Sequence, residues 1–317
     1  MNTGLKITAF AAAVAAAFGT TYAVGASVDT VGKPVAHSED HGEKPPKGGK
    51  DGANERGARG DHTPGGLQIA ADGYALDLRT PRAEAGDRTD LRFRILKSGS
   101  GRAVTGYARD HGKELHLIVA SRDLTTYRHL HPTRSADGTW SVPATLPEAG
   151  DYRVFADFRP ARAKEKVTLG ADLAVTGAYA PAPPLAPSAA AKVAGGYEVR
   201  LDGALTPGEP GELTLRVTRR GKPVTDLQPY LGAYGHLVAL RSGDLAYLHV
   251  HPNGEPGDAG TEPGPEVSFT ATAPSAGTYR LFLDFRHEGK VRTAAFTLRV
   301  GEGGGAAHET PTESHGH

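Results

Sequence analysis

Cysteine is absent from the 317 residues. That excludes disulfides, thiolate metal sites, a cysteine nucleophile and a bacterial lipoprotein anchor. The single methionine is Met1, so thioether ligation of Cu(I) is excluded as well, and so is blue-copper electron transfer, which needs a thiolate. Net charge is also lacking: 36 Lys and Arg balance 36 Asp and Glu, and no basic stripe argues for nucleic acid. Aromatic residues are sparse, whereas Gly (42) and Pro (23) are abundant, which suits many turns and flexible connections. No nucleophile motif, P-loop or dinucleotide fingerprint is found, and the Gly-rich runs lack a phosphate-binding context. Any bound metal must be held by nitrogen and oxygen.

Against these absences stands a motif that occurs twice. Residues 115–132 read LHLIVASRDLTTYRHLHP and residues 235–252 read GHLVALRSGDLAYLHVHP. Each holds three histidines at the spacing His-x12-His-x-His: His116, His129 and His131, then His236, His249 and His251. Six of the 14 histidines lie in these motifs. Imidazole titrates near neutrality and ligates zinc, copper, iron and nickel.

The chain reads as two copies of one domain between low-complexity connections. Residues 1–28 form a targeting segment: Lys6 is its only charge, residues 7–28 are uncharged and largely apolar, and small residues near Ala23 and Ala26 offer cleavage sites. The same stretch is long enough to span a bilayer as an uncleaved anchor. Residues 29–66, rich in Gly, Lys and Pro, read as a disordered linker. Residues 178–193 read as an Ala/Pro linker, and residues 301–317 as a histidine-containing disordered tail. The repeats occupy 67–177 and 194–300. Their likeness extends beyond the histidines: Tyr74 matches Tyr197, Val104-Thr105 matches Val224-Thr225, and AGDYRVFADFR (149–159) matches AGTYRLFLDFR (276–286).

Period-two alternation, as in TDLRFRIL and YRVFADF, and closely spaced turn signals predict about seven strands per copy. In the first copy they fall at 73–79, 89–96, 115–121, 126–131, 139–146, 151–158 and 166–175. No long stretch has helical periodicity. About seven short strands in a domain of this length predict an all-β chain of two tandem immunoglobulin-like β-sandwiches. The Ala-Gly-x-Tyr opening of the sixth strand looks like the tyrosine corner of such folds.

Strand geometry then places the side chains. A two-residue turn at Arg122-Asp123 sets His116 directly across from His129, and one at Ser242-Gly243 sets His236 across from His249. The third histidine of each motif lies two residues on, on the same face. In the immunoglobulin topology the sixth strand lies beside the third, which adds Asp157 or Asp284 as a ligand or as an acceptor for a histidine's second N–H. Tyr152, Val154, Ala156 and Phe158 alternate as core, as do Leu115, Leu117, Val119 and Leu130. The histidines and aspartates therefore take the outer face. Val238, Leu240 and Phe282 share that face, and an apolar patch of this kind implies a cover. His111 and His287 occur in one copy only and read as surface residues.

Three imidazoles with a carboxylate and no sulfur suit Cu(II) or Zn(II). The expected metal set is His116, His129, His131, Asp157, His236, His249, His251 and Asp284. The expected function is non-catalytic metal capture by an exported protein, secreted or anchored outside the cell membrane. The ion is its ligand and a membrane metal transporter a candidate partner. The alternative is a structural or adhesion module whose histidines are packing residues. A three-histidine metal with an open position would activate water, but no other feature points to an enzyme. The motif block resembles bacterial secreted or membrane-anchored proteins with repeated LHLIV-S-DL…HLHP…AG-Y-VFADF units, described as heavy-metal-binding. That resemblance covers 104–159 and 224–286 and implies the same metal role. The chain also resembles exported copper-resistance β-sandwiches of the CopC-like kind. Those carry a ligand histidine at the mature N-terminus, a feature not established here.

Overall fold

The computed structural model describes residues 63–301. The targeting segment, residues 29–62 of the expected linker and all of the tail beyond Gly301 lie outside the described residues. No helix among the described residues is long and apolar enough to cross a membrane. The first domain contains β1 (Ala70–Ala71), β2 (Tyr74–Leu78), β3 (Arg82–Glu84), β4 (Arg88–Lys97), β5 (Tyr107–Ala108) and β6 (Leu115–Ser121). It continues with β7 (Tyr127–Leu130), β8 (Thr133–Arg134), β9 (Thr139–Thr145), β10 (Gly150–Pro160) and β11 (Val167–Thr176). The second contains β12 (Ala190–Val193), β13 (Tyr197–Asp202), β14 (Pro210–Arg219), β15 (Lys222–Pro223) and β16 (Gly235–Arg241). It ends with β17 (His249–Pro252), β18 (Glu266–Thr272), β19 (Gly277–His287) and β20 (Lys290–Val300).

Each domain is an immunoglobulin-like sandwich. In the first, the sheet β1-β2-β4-β9-β8 faces β3-β11-β10-β6-β7, with β3 parallel to β11. In the second, β12-β13-β14-β18-β17 faces β16-β19-β20. The alternation in β4 buries Leu91, Phe93 and Ile95 and turns the intervening arginines outward. Both tyrosine corners form: the Tyr152 hydroxyl donates to Glu148 O at 2.9 Å and that of Tyr279 to Ser275 O at 2.8 Å.

Strand β6 departs from simple alternation, because all seven of its residues are buried. Leu115, Leu117 and Val119 belong to the first core. Ile118 and Ala120 face the other way, into a third apolar cluster that joins the domains. That cluster contains Leu124, Tyr127 and Phe155 from the first copy and Val238, Leu240, Leu245 and Phe282 from the second. The rings of Tyr127 and Phe282 stack with centroids 4.1 Å apart. The cover implied by the apolar outer faces is thus the other domain.

Two connections are more ordered than their composition predicts. Residues 190–193 of the Ala/Pro linker form β12 on β13, and Ser188 pairs with Thr297. Residues 63–66, assigned to the disordered linker, include a strap across the domain boundary. Gly65 pairs with Tyr247 of the second domain, and Gly66 N–H donates to Thr168 O at 2.8 Å. The Arg153 guanidinium donates to Gly66 O and Leu67 O at 2.8 and 2.9 Å. Gly66 is required here: its φ is +76°, and a Cβ would lie 2.5 Å from the Phe155 ring.

Phe282→Ala should cost about 3 kcal/mol, because the cavity opens inside the interdomain cluster. Urea unfolding measures the loss. The variant should also be cut faster by protease in residues 178–189, whereas an unchanged midpoint and cleavage pattern would show that the stacking does not hold the domains together.

Candidate metal centre between the domains

The β6–β10 register sets His116 opposite Asp157, and the β16–β19 register sets His236 opposite Asp284. Histidine and carboxylate therefore share the outer face in both copies. The hairpin register differs from expectation. Ile118, not His116, lies across from His129, because the turn uses four residues, 122–125, with Leu124 in the left-handed region at φ 60°. The two-residue slip preserves side-chain parity, so His116, His129 and His131 still converge. One nitrogen from each lies within 4.8 Å of the others, a group that could hold a metal ion.

The carboxylate that completes this group comes from the other domain. His129 Nδ1 lies 3.0 Å from Asp284 Oδ2, with both side chains at most 5% exposed. Asp284 also accepts from the Thr293 hydroxyl, and Asp157 from that of Thr168 at 2.9 Å. Asp157 lines a cavity of about 60 Å³ together with Asp110, His111, His116, His129 and His236. His236 stands nearby, its ring centroid 6.3 Å from that of His116 and 6.1 Å from that of His129. β17, which carries His249 and His251, pairs with β18 in the opposite sheet, and the His251 side chain is exposed. The expected pairing of His236 with His249 is replaced by this crossover.

Two histidines read as surface residues are not. His111 sits on the left-handed turn before β6 (φ 48°), its centroid 5.0 Å from that of His236. His287 is 7% exposed, held between the Tyr197 hydroxyl at 2.7 Å and Asp226 at 2.9 Å. A residue present in one copy has no repeat partner to reveal its role. The Asp-His-Gly turn was the only local signal for His111.

The hydrogen bonds fix the proton positions. Asp284 can only accept, so His129 Nδ1 carries a hydrogen. His116 Nε2 faces the Asp110 carbonyl at 3.3 Å, so on the neutral His116 ring Nδ1 is a lone pair, and it points at His129 Nε2. Those two nitrogens face each other at 3.0 Å. His131 Nε2 is buried with no hydrogen-bond partner. Two ring nitrogens this close need a proton or a cation between them. Burial, then the neighbouring His129, lowers His116 to about 4 and His131 to about 3, and burial likewise lowers His236 to about 3. At neutral pH these rings are in the metal-ligating form.

The family model described as a domain of unknown function (DUF8832) matches residues 69–175 and again 191–302. No curated protein matches the chain. Among solved structures, the chain is similar to the Escherichia coli adhesin FdeC, at 19% identity and TM-score 0.23, covering 73% of this chain and 65% of that one. It is also similar to the Yersinia pseudotuberculosis adhesin InvE, at 13% identity and TM-score 0.24, covering 73% and 60%. The chain thus spans less than two thirds of either adhesin chain, and scores this low carry no argument about function.

In the metal-free protein, stability should fall as pH drops from 6.5 towards 4. Unfolded histidines take up protons there that His116, His131 and His236 refuse, at up to about 1.4 kcal/mol per pH unit for each. Above 6.5 the effect vanishes. Denaturant unfolding at pH 7 and pH 5 measures it, and His236→Gln should flatten the slope. Equal stability at the two pH values would contradict the buried, neutral assignment.

Proposed function

Given that the chain belongs to the DUF8832 family, a domain of unknown function carried here in two tandem copies, we propose that it is an exported, non-catalytic metal-binding protein. It captures Cu(II) or Zn(II) with His116, His129 and His131, and Asp284 orients His129 from the other domain. The observation that carries this reading is the convergence of three histidine nitrogens within 4.8 Å of one another, His116 Nδ1 and His129 Nε2 only 3.0 Å apart, beside the unpartnered His131 Nε2. The shorter spacing is close to the ~3.3 Å between nitrogens of a tetrahedral zinc ion with bonds of 2.0–2.1 Å. The His129–Asp284 hydrogen bond supports it, since metal-ligating histidines almost always donate their second N–H to a carboxylate, carbonyl or water. An all-nitrogen and oxygen site in a cysteine-free chain suits capture outside the cytosol, ahead of a membrane metal transporter.

One observation favours a second reading, that of a structural surface module. The whole triad lies inside the domain interface, where the buried His129–Asp284 pair also fastens one domain to the other.

Titration of the metal-stripped full chain with Cu(II) and Zn(II), in a glycine buffer that outcompetes weak surface histidines, separates the two. Tight binding should be lost in His129→Ala and weakened about 10- to 100-fold in Asp284→Asn. Should the native chain bind neither ion above the buffer's own affinity, the capture reading falls and the module reading stands.

A further inference from the structure

The two copies share the His-x12-His-x-His spacing, but among the described residues only the first copy's triad comes together, and the backbones of the two copies diverge. The difference begins at one residue. In the first copy β7 remains on β6 through Leu130, with Ile118 opposite His129. In the second copy the strand starts in the equivalent register: Tyr247 pairs with Leu240, and Leu248 N–H donates to Ala239 O at 2.9 Å. From His249 onward the backbone pairs instead with β18, His249 with Thr272 and His251 with Thr270. Continued along β16, the Tyr247 register would set Val238 opposite His249 and His236 opposite His251. In the first copy the same register sets Ile118 opposite His129 and carries His131 to His116.

The remaining parts of a second centre are in place. His236 commits Nε2 to the carbonyls of Tyr230 and Leu231 at 3.0 and 3.1 Å, as His116 commits Nε2 to Asp110. In each case Nδ1 is the nitrogen left to ligate. Asp157, the counterpart of Asp284, stands on the first domain facing this region. It lines one cavity with His236 and Val238 of β16 and with Val250 and Pro252 of β17. The strand that would transfer already borders that cavity.

We infer that the second copy forms its own three-histidine centre when a metal ion draws β17 from β18 onto β16, with His236, His249 and His251 as ligands and Asp157 as the orienting carboxylate. This rests on the capture reading proposed for the first triad. The protein then holds two pseudo-equivalent sites, each using three histidines of one copy and the aspartate of the other. The first is preformed and the second is assembled by its ion.

The test is titration of the full chain with Cu(II) in the same glycine buffer, alongside hydrogen exchange. Two tight equivalents are expected in the native chain, one in His251→Ala, one in His131→Ala and none in the double variant. The exposed position of His251 keeps that variant folded. On filling of the second site, amides of the β17–β18 pairing should exchange faster and those of β16 slower. A single tight equivalent, lost in His131→Ala but indifferent to His251→Ala, overturns this inference and leaves the first site standing. Two equivalents that both survive His251→Ala, or that fill with no change in β17 exchange, also overturn it. No tight equivalent at all overturns both readings.

Discussion

Everything distinctive about this molecule depends on the covering of one sheet face. The outer side of β6 and β10 would be solvated in a lone sandwich, but the second domain closes it through Tyr127, Phe155, Val238, Leu240 and Phe282. Once that face is dry, each polar group on it needs a partner, because an unpaired buried donor or acceptor costs about 1–3 kcal/mol. The chain meets most of this requirement with threonine hydroxyls on both aspartates and main-chain carbonyls on His116 and His236, and leaves His131 Nε2 and the Tyr127 hydroxyl without a partner. The same dryness keeps the His116, His131 and His236 rings neutral. Exposed to water, the triad would be three ordinary histidines on a strand.

On the proposed capture reading, placing the carboxylate on the opposite domain also makes metal affinity and domain docking one equilibrium. Ordering His129 requires Asp284, and Asp284 reaches it only when the apolar cluster is closed. An ion that prefers the ordered triad therefore tightens the domain contact, and by linkage a contact that is already closed strengthens the hold on the ion.

Much of this was readable from the chain. The period-two pattern located every major strand of the first copy, with ends within about two residues. The split of Tyr152, Val154, Ala156 and Phe158 from Phe155 and Asp157 separated core from outer face, and the immunoglobulin topology brought His116 beside Asp157. What failed was what local pattern does not encode. The hairpin register turned on Leu124 adopting a left-handed conformation, which leucine rarely signals. The crossover of β17 depends on competition between two sheet edges, and periodicity does not say which edge wins. The pairing of His129 with Asp284, not with a carboxylate of its own copy, depends on how two finished domains dock. His111 and His287 lacked a repeat partner, so nothing in the comparison of copies marked them.

The strap at residues 65–68 gives the molecule a mechanical polarity. Its bonds run to Thr168 and Arg153 of the first domain and to Tyr247 of the second. Tension entering from the N-terminal side is therefore shared between both sandwiches at the seam before it reaches the core of either. Tyr247 is two residues from His249, and Gly66 packs on the ring of Phe155, which lies two residues before Asp157 on β10. A pull on that side of the chain therefore reaches the histidine-bearing seam directly through the strap.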